Sequence, residues 1–396
     1  MRAFLIAAFA VLALAACDEK KKDTPKPEGT KPAEVKANET KPADDVILIG
    51  EVGSVTGPQA AFGISTRNGV ELAVEEANGA GGVKGKKLAV RLYDDQSKPE
   101  EAAGATTRLI NQDHVAVIIG EVASSNSLAM APLAQGAQVP MITPSSTNPK
   151  VTEIGDYIFR VCFIDPFQGY VMAKYAKEDL KLSNVAILKD VKSAYSEGLA
   201  DVFSRKFTEL GGKIVGTEAF AQGDSDFRAQ LTALKKLKPD GLYVPAYYND
   251  VGVIARQAKE LGLKSVMMGG DGWDSDKVFE LGGSAVDGAY FSDHYSPEDP
   301  SPTVQNFITR YKAKYQIVPD SMAALGYDAA RVAIEAMKRA PDLKGPALRD
   351  EIAKTKDFPG VAGTITMNEK RDAVKPAVVL TIKDGKFAYV STVKPE

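Results

Sequence analysis

Cysteine is nearly absent from this chain, with only Cys17 and Cys162 present. A structural disulfide network is therefore excluded, and stability must come from cores of ordinary size. Histidine is equally rare, at His114 and His294, and no Cys/His cluster has metal-ligand spacing. No metal or other cofactor is expected. Basic charge is not in excess: the formal net charge is -3, which leaves no electrostatic footprint for nucleic acid. Catalytic signatures are missing too, with no G-x-S-x-G elbow, H-E-x-x-H helix, P-loop or Ser/His/Asp constellation. Neither histidine falls within the motifs described below, and no enzyme is expected. Trp273 is the single tryptophan.

Long apolar runs are confined to the first residues. Arg2 precedes an Ala- and Leu-rich stretch, 3–16, too short for a permanent membrane span and built like a signal peptide. It ends Leu14-Ala15-Ala16-Cys17, the lipobox pattern in which the cysteine is lipidated and becomes the mature N-terminus. Cleavage at an ordinary A-x-A site before Ala16 is the alternative. Residues 18–45 alternate charge without apolar periodicity, as expected of a polar tether that cannot bury enough surface to fold. This arrangement places a lipid-anchored body on the periplasmic side of the cytoplasmic membrane, or on the outer cell surface where only one membrane exists.

About 350 residues remain, enough for two domains. From 46 to 143 the chain alternates β-branched apolar runs with amphipathic stretches, the β-α-β-α pattern of a doubly wound parallel sheet. A strand over 157–161 leaves this unit, and Asp165-Pro166-Phe167-Gln168-Gly169 reads as a break. The alternation then restarts over 185–268, and 289–292 reads as a second exiting strand. Helices are expected at 303–315, 323–340 and 346–354, returning to the first lobe, followed by a hairpin over 377–390 across Lys383-Asp384-Gly385-Lys386. The expected fold class is α/β, with lobe 1 formed by 46–163 plus 294–365 and lobe 2 by 164–293 plus 366–396. A hinge of several crossovers joins the two.

The stretch 115–149 concentrates the candidate chemistry. An apolar strand ends at Gly120, followed by Ser124-Ser125-Asn126; a second strand ends at Pro144-Ser145-Ser146-Thr147. Both hydroxyl clusters fall at the carboxyl edge of a parallel sheet, where open α/β folds bind ligands and helix N-termini favour an anion. The same residues would also serve simply as helix caps.

Several motifs in this order resemble the branched-chain amino acid binding proteins of ABC transporters. They are Gly53-Ser54-Val55-Thr56-Gly57-Pro58 with Phe62-Gly63 and Gly69, Asn78-x-x-Gly81-Gly82-Val83-x-Gly85, Tyr93-Asp94-Asp95, Met141-Ile142-Thr143-Pro144, and Tyr195-x-Glu197-Gly198. The resemblance spans the body from Val46 to about Val393 and implies the type I periplasmic binding protein fold. It further implies that Ser124, Thr147 and the backbone at Ser145 hold the α-carboxylate and α-ammonium of an amino acid. Asp271 pairs with the ammonium, Tyr195 and Tyr247 close from the second lobe, and Phe62 lines the side-chain pocket. A one-place slip would exchange Tyr247 for Tyr248.

Two departures stand out. The cysteines that form a disulfide in well-known members fall here on Ser97 and Ala123, and Asp271 replaces a Glu one methylene longer. Ala123 and Trp273 are added as possible pocket residues, Trp273 as one that narrows or reshapes the pocket. The expected role is a monomeric receptor that binds an aliphatic α-amino acid, performs no chemistry on it, and delivers it to permease subunits in the membrane. A ligand sensor, or an amide- or urea-binding protein of the same fold, is the alternative. Asp94-Asp95 reads as structural rather than catalytic, and Cys162 as a small buried residue.

Overall fold

The computed structural model describes residues 46–395. The signal run, Cys17 and the tether lie outside these residues. The first half of the described chain runs β1 (Val46–Gly53), α1 (Ala60–Gly79), β2 (Lys87–Asp94), α2 (Pro99–Asn111), β3 (Val117–Ile119), α3 (Ser124–Ala137), β4 (Met141–Thr143), α4 (Lys150–Glu153) and β5 (Ile158–Arg160). Then follow α5 (Asp165–Lys174), β6 (Asn184–Asp190), α6 (Ala194–Glu209), β7 (Lys213–Phe220), α7 (Arg228–Lys236), β8 (Gly241–Tyr243), α8 (Tyr248–Glu260), β9 (Val266–Gly269), α9 (Lys277–Gly282) and β10 (Tyr290–Asp293). The chain closes with α10 (Pro302–Tyr315), α11 (Ser321–Arg339), α12 (Gly345–Ala353), β11 (Phe358–Gly360), β12 (Gly363–Ile365), β13 (Ala377–Lys383) and β14 (Lys386–Val393).

The first five strands form one parallel sheet in the order β2-β1-β3-β4-β5. Its strands are apolar on both faces because helices cover both. Ile47, Ile49, Val117 and Ile119 pack against α1 and α11, while Val52, Ile118 and Met141 meet α2 and α3. The second sheet is seven-stranded, β14-β13-β10-β9-β8-β6-β7. It is parallel from β7 to β10, and the C-terminal hairpin extends it antiparallel through β13 on β10. Both lobes are doubly wound α/β layers of the type I kind.

The chain crosses between the sheets after β5, after β10 and before β13. Helices α10 and α11 return to the first sheet, where Val304, Phe307 and Ala323 to Met337 join the core around Ile49 and Val70. Glycine makes this return possible: a Cβ on Gly69 of α1 would lie 2.1 Å from the Ala323 carbonyl oxygen. On the facing helix, a Cβ on Gly326 would lie 2.5 Å from that of Thr66. Asp320 caps α11 by accepting from Ala323 N at 2.9 Å.

The structure departs from the sequence expectations at three places. Asp165-Pro166 opens α5 instead of breaking the chain, because proline at a first helical turn loses no hydrogen bond. Residues 366–376, expected in lobe 2, pack on the first lobe: Met367 and Ala373 lie in its core, and Arg371 Nη2 donates to Thr152 O at 2.8 Å. Only β13 and β14 of the C-terminal segment lie in the second sheet. The β11–β12 hairpin, three residues per strand, is too short to show a period in sequence.

Arg160, fully buried at the end of β5, ties the third crossover to the loop after β4. Its Nε donates to Asp372 Oδ1 at 2.5 Å, its Nη1 to Ser146 O, and its Nη2 to Asn148 O at 2.9 Å and Thr152 Oγ1 at 3.0 Å. Asp372 also accepts from Thr152 Oγ1 at 2.8 Å. Replacement by Met would strand the Asp372 carboxylate and several carbonyls. Arg160→Met should lower stability by about 3–5 kcal/mol, the usual cost of breaking a buried pair, in urea unfolding followed by circular dichroism.

Glu51 follows Ile47 and Ile49 on the same face of β1, is fully buried, and finds no hydrogen-bond partner for either oxygen. Burial first, and the nearby Glu71 charge second, push its pKa up to about 8. A glutamate in the unfolded chain ionises near 4.5. Between those values the folded state holds the extra proton, so stability falls as pH rises through this window. Glu51→Gln should flatten the decline: its melting temperature should drop less than wild type between pH 5 and pH 9, read by differential scanning calorimetry.

Candidate functional site

The carboxyl ends of both sheets face one another across a closed cleft. On the first lobe, the loop after β1 is braced by carboxylates. Asp94 Oδ1 accepts from Val55 N at 3.0 Å and Thr56 N at 3.2 Å. Asp95 accepts from Ser54 Oγ at 2.6 Å and from Asn126 Nδ2 at 2.8 Å. The Asp94-Asp95 pair is thus a scaffold for this loop, which leads into Phe62 on α1.

The start of α3 differs from the sequence expectation. Its N-cap is Ala123, and no side-chain cap is made. Glu121 occupies the helix entrance instead, accepting from Ala123 N at 2.5 Å and from Ser54 N at 3.2 Å. The hydroxyls that resembled caps are used elsewhere. Ser124 Oγ accepts from Asn148 N at 3.3 Å, fastening the α3 entrance to the loop after β4. Ser125 Oγ accepts from Ala194 N of the other lobe at 3.0 Å.

That loop carries Ser145 and Thr147, both buried. Ser145 Oγ has no hydrogen-bond partner in the protein, while the Thr147 hydroxyl lies beside the Asp165 carboxyl and favours its charged form. Arg160 holds the loop from behind through the carbonyls of Ser146 and Asn148.

The second lobe contributes Tyr195 from α6, Tyr247 from the residue before α8, and Asp271 from the turn after β9. The Tyr195 and Tyr247 rings stack 5.1 Å apart at 12°. Gly272 N donates to Tyr195 Oη at 3.2 Å, which sets the Asp271 turn against the aromatic pair. Asp271 Oδ1 is buried and unpartnered; Oδ2 lies 3.0 Å from His294 Nε2. Burial, then the Asp271 charge, push the Tyr195 hydroxyl pKa well up, so it stays protonated as a donor.

Contacts between the lobes are direct. Phe62 meets Tyr247 edge-on at 6.0 Å and Tyr248 at 4.8 Å, and joins Val122, Ala123, Tyr195 and Tyr247 in one apolar cluster. Tyr248 Oη donates to Pro58 O at 2.9 Å and accepts from Ala61 N at 3.2 Å. Asn148 Nδ2 donates to Ala194 O at 2.7 Å, and Asp165 N donates to Thr147 O at 2.9 Å. Tyr247 therefore belongs to the stacked pair, and Tyr248 forms a clasp on the loop before α1.

Phe62, Ala123, Ser124, Ser145, Thr147, Tyr195, Tyr247 and Asp271 are accordingly buried at one junction. Trp273 stands apart. Its Nε1 donates to Val244 O at 2.9 Å and its ring packs on Phe291, within the second-lobe core. A Cβ on Gly269 would lie 2.2 Å from the indole, so Trp273 backs the Asp271 turn from beneath.

Sequence reasoning missed Asp165, Gln168 and His294. Asp165 lies at the start of α5, and burial pushes its pKa up to about 7. Gln168 Nε2 donates to Asp165 Oδ1 at 3.0 Å, and its Oε1 accepts from Ser292 Oγ at 3.0 Å. His294 is far from Asp271 in the chain but adjacent in space, because β9 and β10 are parallel neighbours with Gly269 opposite Phe291, so the residues leaving both strands run side by side. The available signal was the placement of both residues just after strand ends on the same edge.

A model described as periplasmic binding protein matches residues 46–386. The leucine-, isoleucine-, valine-, threonine- and alanine-binding protein of Pseudomonas aeruginosa is 32% identical over 331 residues, covering 83% of this chain and 88% of its own. The leucine binding protein LivK of Thermotoga maritima has a TM-score of 0.85 at 41% identity, covering 88% of this chain and 99% of its own. The branched-chain amino acid transporter substrate binding protein LivJ of Streptococcus pneumoniae, solved with isoleucine, has a TM-score of 0.84 at 35% identity and covers 88% and 100%. Alike in sequence along its body and in the architecture of both lobes, the chain belongs to the periplasmic binding protein family.

Proposed function

We propose that this protein is the extracytoplasmic receptor of an ABC transporter, binding an aliphatic α-amino acid between its lobes and passing it to a membrane permease. One observation carries the reading. Two polar atoms, Ser145 Oγ from one lobe and Asp271 Oδ1 from the other, are buried without a protein partner, and the Thr147 hydroxyl stands beside the Asp165 carboxyl. Leaving such atoms unpaired costs about 1–3 kcal/mol each, so a site that keeps them is built for something that pairs with them. Hydroxyl donors facing a carboxylate suit a zwitterion: the hydroxyls serve the ligand's carboxylate and Asp271 its ammonium.

Phe62, Tyr195 and Tyr247 supply the apolar wall against which an aliphatic side chain is buried. Because the two halves of the clutch sit on different lobes, only the closed form satisfies both ends of the ligand. No group on the ligand is transformed in this reading. Lipidation at Cys17, with residues 18–45 as tether, would keep the receptor close to its permease.

Calorimetry against a panel of α-amino acids should find leucine, isoleucine or valine bound with one site per chain. Failure of every α-amino acid to bind the folded protein would sink the proposal. Asp271→Ala should weaken binding by about a hundred-fold or more, since removing one partner of a buried ion pair costs about 3–5 kcal/mol. An amide- or urea-binding site has no ammonium to lose and would tolerate this change. Thr147→Val should cost roughly ten- to a hundred-fold, as expected for a hydrogen bond to a charged group.

A further inference from the structure

His294 is the first residue after β10, on the second crossover between the lobes. Its side chain is fully buried. One face of the ring stacks on Phe163, of the first crossover, at a centroid distance of 3.7 Å and 28°. Its backbone N donates to Asp293 Oδ1 at 2.7 Å. Nε2 lies 3.0 Å from Asp271 Oδ2, while Nδ1 has no partner in the protein. The imidazole thus occupies one oxygen of the carboxylate and leaves the other, Oδ1, buried without a partner in the protein.

We propose that His294 is a positioning residue for Asp271, and that its imidazolium competes with the ligand's cation for that one carboxylate, so that acidification releases the ligand. This rests on the reading that Asp271 pairs with a ligand ammonium. The geometry supplies both parts. Oδ2 is held by a ring that stacks on Phe163, on a backbone whose N–H is tied to Asp293 Oδ1, so Oδ1 of Asp271 has a fixed direction. With one carboxylate between them, a protonated imidazole and an ammonium would put two positive charges against one negative charge.

The charged groups facing the ring are Asp271, which favours the imidazolium, and Lys375, which opposes it. The adjacent Asp293 carboxyl has its own pKa pushed well up by burial and by Asp274, which favours its neutral form, and its Oδ1 accepts from the His294 backbone N. In this closed structure burial outweighs Asp271 and holds the imidazole pKa down to about 4, below its ordinary 6.5. Opening the lobes would admit water to the pair and restore the proton's advantage. Closure on a cation then expels that proton at any pH below the ordinary value. By linkage, protons and ligand oppose one another to the same extent.

The test is calorimetry of leucine and isoleucine binding to the full chain from pH 8 to pH 5, in buffers of different protonation enthalpy. Wild-type affinity should fall about ten-fold from pH 7 to pH 5, with proton release on binding that grows over the same range. His294→Gln keeps an N–H for Asp271 but cannot titrate. It should bind within about three-fold of wild type at pH 8 and lose at least half of the acid dependence. His294→Leu should bind about ten-fold more weakly even at pH 8, because Oδ2 loses its donor. An acid dependence in His294→Gln as steep as in wild type would overturn the proposal, as would unchanged binding by His294→Leu.

If these variants do not fold, wild type still decides. Only two histidines exist, so the His294 imidazole is assignable by NMR against His114→Gln. Its pKa should fall when leucine is added, and a pKa that leucine leaves unmoved would overturn the proposal. Binding by wild type without pH dependence would defeat this inference and leave the proposed function standing. Absence of binding at every pH would defeat both.

Discussion

A guanidinium buried at the end of β5 needs an acceptor for each of its N–H groups, and meeting that need shapes the first-lobe wall of the cleft. Arg160 draws the carbonyls of Ser146 and Asn148 inward and anchors Asp372 of the third crossover. With the loop's carbonyls committed to its back, Ser145 keeps a free hydroxyl in the buried loop. The loop, the crossover and the sheet end are thereby one rigid piece. A binding site needs this rigidity, since unpaired buried hydroxyls survive only where the surrounding structure prevents them from pairing with each other.

The second lobe solves the same problem by stacking. Tyr195 and Tyr247 lie face to face, Gly272 N reaches the Tyr195 hydroxyl, and Trp273 fills the space beneath. Asp271 is held at the tip of this stack, with His294 on one of its oxygens. Phe62 and Tyr248 join the two walls, so that closure buries apolar surface while bringing the polar atoms into register. Hydrophobic burial therefore contributes to closure, and the unpaired polar atoms make its strength depend on what lies between the lobes.

Much of the fold was legible. The β-branched runs and amphipathic stretches gave the alternation of both lobes, and the helices after Pro300, with too few strands for a third domain, pointed to a return to the first lobe. The expectation that Ser145, Thr147, Tyr195, Tyr247 and Asp271 form one site came only from family resemblance, not from periodicity. Other features were illegible for identifiable reasons. Ser124 and Ser125 looked like caps because hydroxyls at a helix start usually are, but Glu121 reached the helix entrance first. Trp273 was expected to narrow or reshape the pocket because it sits two positions from Asp271, whereas its indole is bonded to Val244 O and packed on Phe291.

By itself the sequence determined the doubly wound α/β class, the absence of disulfides among the described residues, and the edge of the sheet on which the chemistry gathers. Local period and composition suffice for these, because each depends on neighbours within a few residues. Tertiary structure alone decided which polar atoms stay unpaired, that 366–376 belongs with the first lobe, and that His294 meets Asp271. Each of those depends on residues tens to hundreds of positions apart, brought together by parallel strand ends and by a buried arginine whose acceptors no local pattern announces.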